Sequence, residues 1–301
     1  VYLLFYIDNQ LVNTKTFTIL SALYFCYFFE KTLNLEGLPQ GFSIKNIQNM
    51  IYCKKIASLT RVFLFSFTLL MSANVFAQNY NSKGVELIPL EHASLLLKSK
   101  KLTIAVDPTG SHHQYEETID LILITDIHGD HFNKEVLKTI SDSNTTIIAP
   151  KAVYDQMDEE LQSKTKVLNN GENFNYQRVA IEAIPMYNLR EEALNFHSKG
   201  RGNGYVVSMN NQRIYISGDT EDIPEMRSLE NIDIALVCMN LPYTMTEASA
   251  ASAVMEFKPK VVMPYHFRGR PKVSDIDLFE SLITDSSIEV VRLDWYPNED
   301  Y

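Results

Sequence analysis

Four side chains of metal-ligand type stand close together in "TDIHGDHF" (Thr125–Phe132): Asp126, His128, Asp130 and His131. They follow the apolar run "DLILI", which reads as a buried strand. Unpaired carboxylates and imidazoles are costly to bury, so such a cluster calls for a partner, and a divalent cation would satisfy it. If the segment stays extended, alternation points Asp126, His128 and Asp130 to one side, and Gly129 permits the sharp turn that brings His131 to the same point. Three later stretches add one ligand type each: His197 in "NFHSKGRGNGY", before a glycine-rich loop, Asp219 in "YISGDT" and His266 in "VVMPYHF". A lone strand-end Asp is ordinarily a turn or cap residue, and a lone His an ordinary core or surface group. It is the repetition of ligand types at strand ends that points to a metal centre.

These residues need rigid elements behind them. The runs "VELIPL" (85–90), "SLLLKS" (94–99) and "LTIAV" (102–106) predict a meander of strands. After Asp107-Pro108 the pattern alternates: the strand "DLILIT", a helix with Phe132, Val136, Leu137 and Ile140 on one face, the strand "TTIIA", and a second helix from Lys151 to about Lys164. The second half repeats the layout without the sequence. "RVAIEAIP" and "GYVVSM" lead through an Asn210-Asn211 turn to "RIYIS"; "IDIALV", the helix "TEASAASAVMEF", "KVVMP", the helix "SDIDLFESLIT" and "IEVVRL" follow. Two sheets inside and helices outside make an α/β layered sandwich, with the ligand loops at strand ends.

Composition narrows the function classes. With 301 residues, 46% hydrophobic and 21% charged, the chain is globular, and a net charge of −10 leaves no basic footprint for nucleic acid. All seven histidines lie beyond residue 90. Before them, "CKKIASLTRVFLFSFTLLMSANVFAQ" has a basic start, an apolar centre from Val62 to Met71 and a small-residue end at Ala77, the layout of a secretory signal. The expectation is therefore a signal peptide over 50–77, cleaved after Ala77, a catalytic domain over 78–301, and a periplasmic or secreted product without stable membrane association. Residues 1–49 precede Met50 and are expected not to belong to the natural product; the rival reading is a membrane anchor built from residues 16–29 and 62–76. The exported part carries 21 Lys+Arg against 34 Asp+Glu, a balance of −13, and Cys238 alone, so it has no internal disulfide.

The stretches "EHASLLL", "VDPTG", "TDIHGDH", "GRGNGYVV", "RIYISGDT" and "VVMPYH" together resemble the metallo-β-lactamase-fold hydrolases, whose pattern is H-x-H-x-D-H, then a His, an Asp and a His. The nearest likeness is to the branch containing L-ascorbate-6-phosphate lactonase, over about residues 85–292. The resemblance implies a four-layer αββα sandwich with one or two metals, usually zinc, at one edge. It implies that His128 and His197 hold a first metal together with Asp126, that Asp130, His131 and His266 hold a second, and that Asp219 bridges. Asp126 departs from the pattern, which has His there; a carboxylate is harder than imidazole, so manganese or iron also suits the site. Two zinc ions are the expectation.

The chemistry implied is hydrolysis of a small ester, lactone, amide or phosphoester by a metal-activated hydroxide, with Asp130 and Asp219 as catalytic residues. Asp107 and His92 are expected to support the ligands from behind. Tyr187, Tyr243 and Arg268 are the candidates for substrate contact, Arg268 suiting a phosphate or carboxylate. The alternatives are a mononuclear iron oxidoreductase of the same fold and a non-catalytic metal-binding module.

Overall fold

The computed structural model describes residues 79–296. The expected signal peptide and residues 1–49 lie outside the described residues. Among the described residues no helix is long and apolar enough to cross a membrane.

The first sheet runs in chain order: β1 (Tyr80–Ser82), β2 (Val85–Glu91), β3 (Ser94–Ser99), β4 (Thr103–Val106), β5 (Leu121–Leu123), β6 (Thr146–Ala149) and β7 (Thr165–Val167). The second has the same plan, with β8 (Asn173–Tyr176), β9 (Val179–Met186), β10 (Gly202–Met209), β11 (Gln212–Ile216), β12 (Ile234–Cys238), β13 (Val261–Tyr265) and β14 (Glu289–Val290). In each sheet the first four strands pair antiparallel and the rest parallel. Asn210 and Asn211 make the β10–β11 turn, both with positive φ, as a two-residue hairpin of opposite hand requires.

Strand alternation explains how one sheet serves two cores. Leu95, Leu97, Ile104, Val106, Leu121 and Leu123 join the large core shared with the second sheet. Their neighbours Leu96, Ala105 and Ile122 face the other way, onto a smaller core with Phe132, Val136, Leu137, Val153 and Leu161. That second core is covered by α1 (Lys134–Ile140), α2 (Lys151–Tyr154) and α3 (Glu159–Lys164). α4 (Pro224–Arg227), α5 (Glu247–Phe257) and α6 (Ile276–Leu282) belong to the other half, where α5 buries Ala250, Ala251, Ala253, Val254 and Phe257. The result is the expected αββα sandwich.

One predicted element differs. The single helix expected over Lys151–Lys164 is two short ones, because Asp158 caps a new start: its side chain accepts the Leu161 N–H at 3.1 Å. The break still buries Val153, Met157 and Leu161 on one face.

Candidate metal centre

Asp107, Thr125, Asp219 and His266 follow the ends of β4, β5, β11 and β13, so the ligand loops meet at the carboxyl ends of parallel strands from both sheets. Asp107 turns there on a left-handed backbone, φ 43°. Its Oδ1 accepts the Thr125 N–H at 2.7 Å; its Oδ2 accepts the Thr125 hydroxyl at 2.6 Å and lies 2.8 Å from His131 Nδ1. All three residues are fully buried. Burial raises the Asp107 carboxyl, yet three donors converge on its oxygens. Burial pulls His131 down, but Asp219 and Asp107 outweigh it and hold that imidazole well above its ordinary range. Asp107 thus keeps a proton on Nδ1 and turns Nε2 toward the centre.

Two groups of three form around that point. Asp126, His128 and His197 offer ligand atoms within 4.8 Å of one another, and so do Asp130, His131 and His266. Asp219 reaches both groups: Oδ2 lies 3.2 Å from His197 Nε2 and 3.4 Å from His131 Nε2, and Oδ1 lies 3.3 Å from His266 Nε2. His266 Nε2 is also 3.4 Å from Asp130 Oδ2. Behind His197, Nδ1 lies 3.2 Å from the Tyr243 carbonyl, and Asn188 Nδ2 is fixed by that carbonyl and by Ala193. His131 Nε2, His197 Nε2 and Asp219 Oδ1 are buried with no hydrogen-bond partner. Imidazole nitrogens converging on a carboxylate, two of them and one carboxylate oxygen without a hydrogen-bond partner, are the condition a cation relieves, so these residues fit one.

The charges are strongly coupled without a cation. Burial pushes the Asp219 carboxyl up, but His266 and His131 prevail and hold it well below the carboxylate range. Asp130 is lowered likewise, burial being outweighed by His266 and His131. Burial lowers His266, while Asp219 and Asp130 raise it further, to about 9.

The loop that carries the first four ligands is not extended. His131 N and Phe132 N both bond to His128 O, at 3.0 and 2.8 Å, which closes a turn and sends Asp126 and His128 to one group and Asp130 and His131 to the other. Gly129 needs no glycine freedom: it has no left-handed φ, and a Cβ there would meet nothing within 4 Å. Glycine is required elsewhere, at Gly218 beside Asp219, where φ is +61° and a Cβ would stand 2.5 Å from Met186 Sδ.

Arg201 is the residue the motifs did not single out. Its Nε lies 3.1 Å from Asp126 Oδ1 and its Nη2 2.8 Å from Asp126 Oδ2, a two-point contact with a fully buried carboxylate. Asp126 Oδ2 is also 2.8 Å from His128 Nδ1. Burial alone would raise the Asp126 carboxyl; the His128 hydrogen bond and the charges of His131, His128 and Arg201 reverse that and lower it. The available signal was chemical: an Asp in place of a neutral ligand, fully buried, needs a cation.

A cleft of about 470 Å³ opens onto the second group and is lined by His92, Asp130, Asn240, Tyr243, His266 and the Arg268-Gly269-Arg270 turn. Of the three candidates for substrate contact, Tyr243 and Arg268 line it. Tyr187 instead bonds Glu225 at 2.8 Å and Lys199 at 3.2 Å, outside the cleft lining. His92 does not back a ligand through a hydrogen bond; its Nε2 faces Arg268 Nη1 at 3.4 Å and its ring meets the edge of His266, centroids 5.7 Å apart. A wider depression of about 500 Å³ is lined by Lys83, Arg178, Arg213, Asp233 and Lys260, holds no ligand histidine, and has its lysines paired with Asp233.

Comparisons with known proteins agree with this geometry. Residues 86–266 match the family described as the beta-lactamase superfamily domain. A UPF0173 metal-dependent hydrolase from Thermococcus kodakarensis is 30% identical over 217 residues, 68% of this chain and 94% of the relative. A solved candidate metal-dependent hydrolase from Parabacteroides distasonis is 34% identical, with a TM-score of 0.66, over 74% of this chain and 100% of the other. A metallo hydrolase of Ignicoccus hospitalis, 21% identical over 69% of this chain and 94% of the other at a TM-score of 0.58, shares the fold. The likeness is to the superfamily and its UPF0173 members, and not specifically to the ascorbate-6-phosphate lactonase branch. With the ligand pattern on strand ends of both sheets, the chain belongs to the metallo-β-lactamase superfamily, among metal-dependent hydrolases of the UPF0173 kind.

Proposed function

We propose that the centre holds two divalent cations, with zinc as the first candidate, and hydrolyses a small ester, lactone or phosphoester that carries an anionic group. The carrying observation is the pair of three-residue clusters that share Asp219 and leave its Oδ1 and two imidazole nitrogens buried without partners. Cations held there by Asp126, His128, His197, Asp130, His131, His266 and Asp219 would supply Lewis acidity that lowers the pKa of a bound water toward about 7 and polarises an acyl or phosphoryl oxygen. The chain's own residues do the rest. Asp107 fixes His131 through Nδ1, and the Tyr243 carbonyl fixes His197, so each presents Nε2. Asp130, on the cleft side of the second cluster with its side chain 44% exposed, stands where it can orient a water. Arg268 and Arg270 at the cleft mouth supply positive charge on a chain whose net charge is −10, which supports an anionic substrate. Tyr243 and Asn240 add a ring wall and a polar contact. Export by a signal peptide cleaved after Ala77 remains part of the proposal.

The test is a panel of neutral and anionic p-nitrophenyl esters and bis(p-nitrophenyl) phosphate, assayed with zinc or manganese and after chelation. Metal-dependent hydrolysis that favours the anionic members, and a KM at least about tenfold higher for those members in Arg268→Ala, is expected. Metal bound without any hydrolysis would leave the non-catalytic reading.

A further inference from the structure

We propose that Arg201 makes the two halves of the centre unequal: the Asp130–His131–His266 group takes its cation tightly, and the Asp126–His128–His197 group is a weaker, exchangeable site because its only carboxylate is shared with Arg201. The inference rests on the metal-centre reading above and adds an order of filling to it.

Charge is the first ground. The first group offers two imidazoles and Asp126, whose negative charge is matched by a guanidinium at 2.8 and 3.1 Å. The second offers two imidazoles and Asp130, which among the described residues faces no Lys or Arg at ion-pair distance. Asp219 is common to both. A divalent cation in the first group therefore meets a carboxylate already matched by a guanidinium in direct contact, whereas Asp130 brings its charge to the second group without such a contact among the described residues.

Geometry is the second ground. Arg201 cannot easily withdraw. Its side chain is only 16% exposed, and its Nη2 also donates to the Phe196 carbonyl. Its backbone is held on the C-terminal side by Gly202, where a Cβ would lie 2.2 Å from Met186 Cε and 2.9 Å from Thr125 O. The next residue closes the contact, Asn203 N bonding to Thr125 O at 3.0 Å. The loop is thus docked on the segment that carries Asp126, and both carboxylate oxygens are engaged before any cation arrives. Asp126 Oδ2 is doubly used, by Arg201 and by His128 Nδ1 at 2.8 Å.

The experiment counts metal per chain on stripped protein equilibrated at graded free Zn²⁺, with Co²⁺ absorption as a second reading of coordination. Wild type is expected to bind two equivalents at least about tenfold apart, and Arg201→Met to raise the affinity of the weaker one by about 10–100-fold. His128→Ala is expected to keep the tight equivalent and lose the weak one, and His266→Ala the reverse. These two histidine variants decide the order of filling even where Arg201→Met does not fold, since they leave the ion pair in place. Two equivalents filling at one concentration in wild type, loss of the tight equivalent in His128→Ala, or a folded Arg201→Met with unchanged spacing would each overturn the inference. A wild type that binds no metal would instead overturn the metal centre itself.

Discussion

Replacing Asp107 by Asn separates a structural role from a tautomer-setting one. The carboxylate accepts from Thr125 N–H, the Thr125 hydroxyl and His131 Nδ1, at 2.7, 2.6 and 2.8 Å, in a fully buried site. Asn has the same shape. Its carbonyl still accepts the Thr125 N–H, but its amide stands where Oδ2 was and donates toward His131 Nδ1. The ring then carries its proton on Nε2 and loses the lone pair it presents to a cation. Loss of one charge-assisted bond costs about 1.5–3 kcal/mol. For a domain of this size, each kcal/mol moves Tm by about 2–4 °C, so a fall of about 3–12 °C is expected. Asp107→Ala leaves His131 without its counter-charge and the Thr125 N–H without an acceptor, and its cost is larger, about 3–5 kcal/mol. Affinity for the second cation is expected to drop about 10–100-fold in Asp107→Asn. Scanning fluorimetry with and without chelator, beside metal counting, reads both effects. An Asp107→Asn protein with wild-type metal affinity would refute the tautomer argument, and an Asp107→Ala protein within about 2 °C of wild type would refute the burial argument.

Other expectations follow from the same geometry. In metal-stripped protein, His266 is pushed up to about 9 from 6.5, so its contribution to stability is fully present below about pH 6.5 and is lost as pH rises through about 9; Tm of chelated protein scanned from pH 6 to 10 should fall over that window. Asp219→Asn removes the carboxylate that, among the described residues, reaches both clusters, and metal counting should show at least one equivalent lost per chain. Arg190→Ala removes the counter-charge of Glu221, which is 2% exposed and accepts from Arg190 Nε at 2.6 Å, while its other oxygen keeps the N–H groups of residues 189 and 190, and should cost about 1.5–3 kcal/mol by thermal or urea unfolding. Mass spectrometry of the exported product should give an N-terminus at Gln78, and a mature terminus upstream of Met50 would contradict the signal-peptide reading.

What was legible in the sequence followed the physical signal each residue leaves. The strands that bury both faces, such as β3, β4, β12 and β13, are near-continuous apolar runs, and each ligand of the parallel strands stands just beyond such a run. Edge strands leave little trace: β8 reads "NFNY" with two of its residues exposed, and β7 has only three residues. The break between α2 and α3 depends on a side-chain cap at Asp158 that a periodic apolar face conceals. The shape of the ligand turn was hidden because its fixing bonds are backbone contacts to His128 O rather than a glycine conformation. Arg201 was hidden for a different reason. It pairs with a residue 75 positions away, and only the meeting of the two sheets brings them together.

Diffraction at a metal absorption edge, from crystals of the protein grown in excess Zn²⁺, tests the central claim most directly. Two anomalous peaks are expected on either side of Asp219, one contacted by Asp130, His131 and His266 and the other by Asp126, His128 and His197. Crystals that carry zinc elsewhere and show no peak beside Asp219 would contradict it.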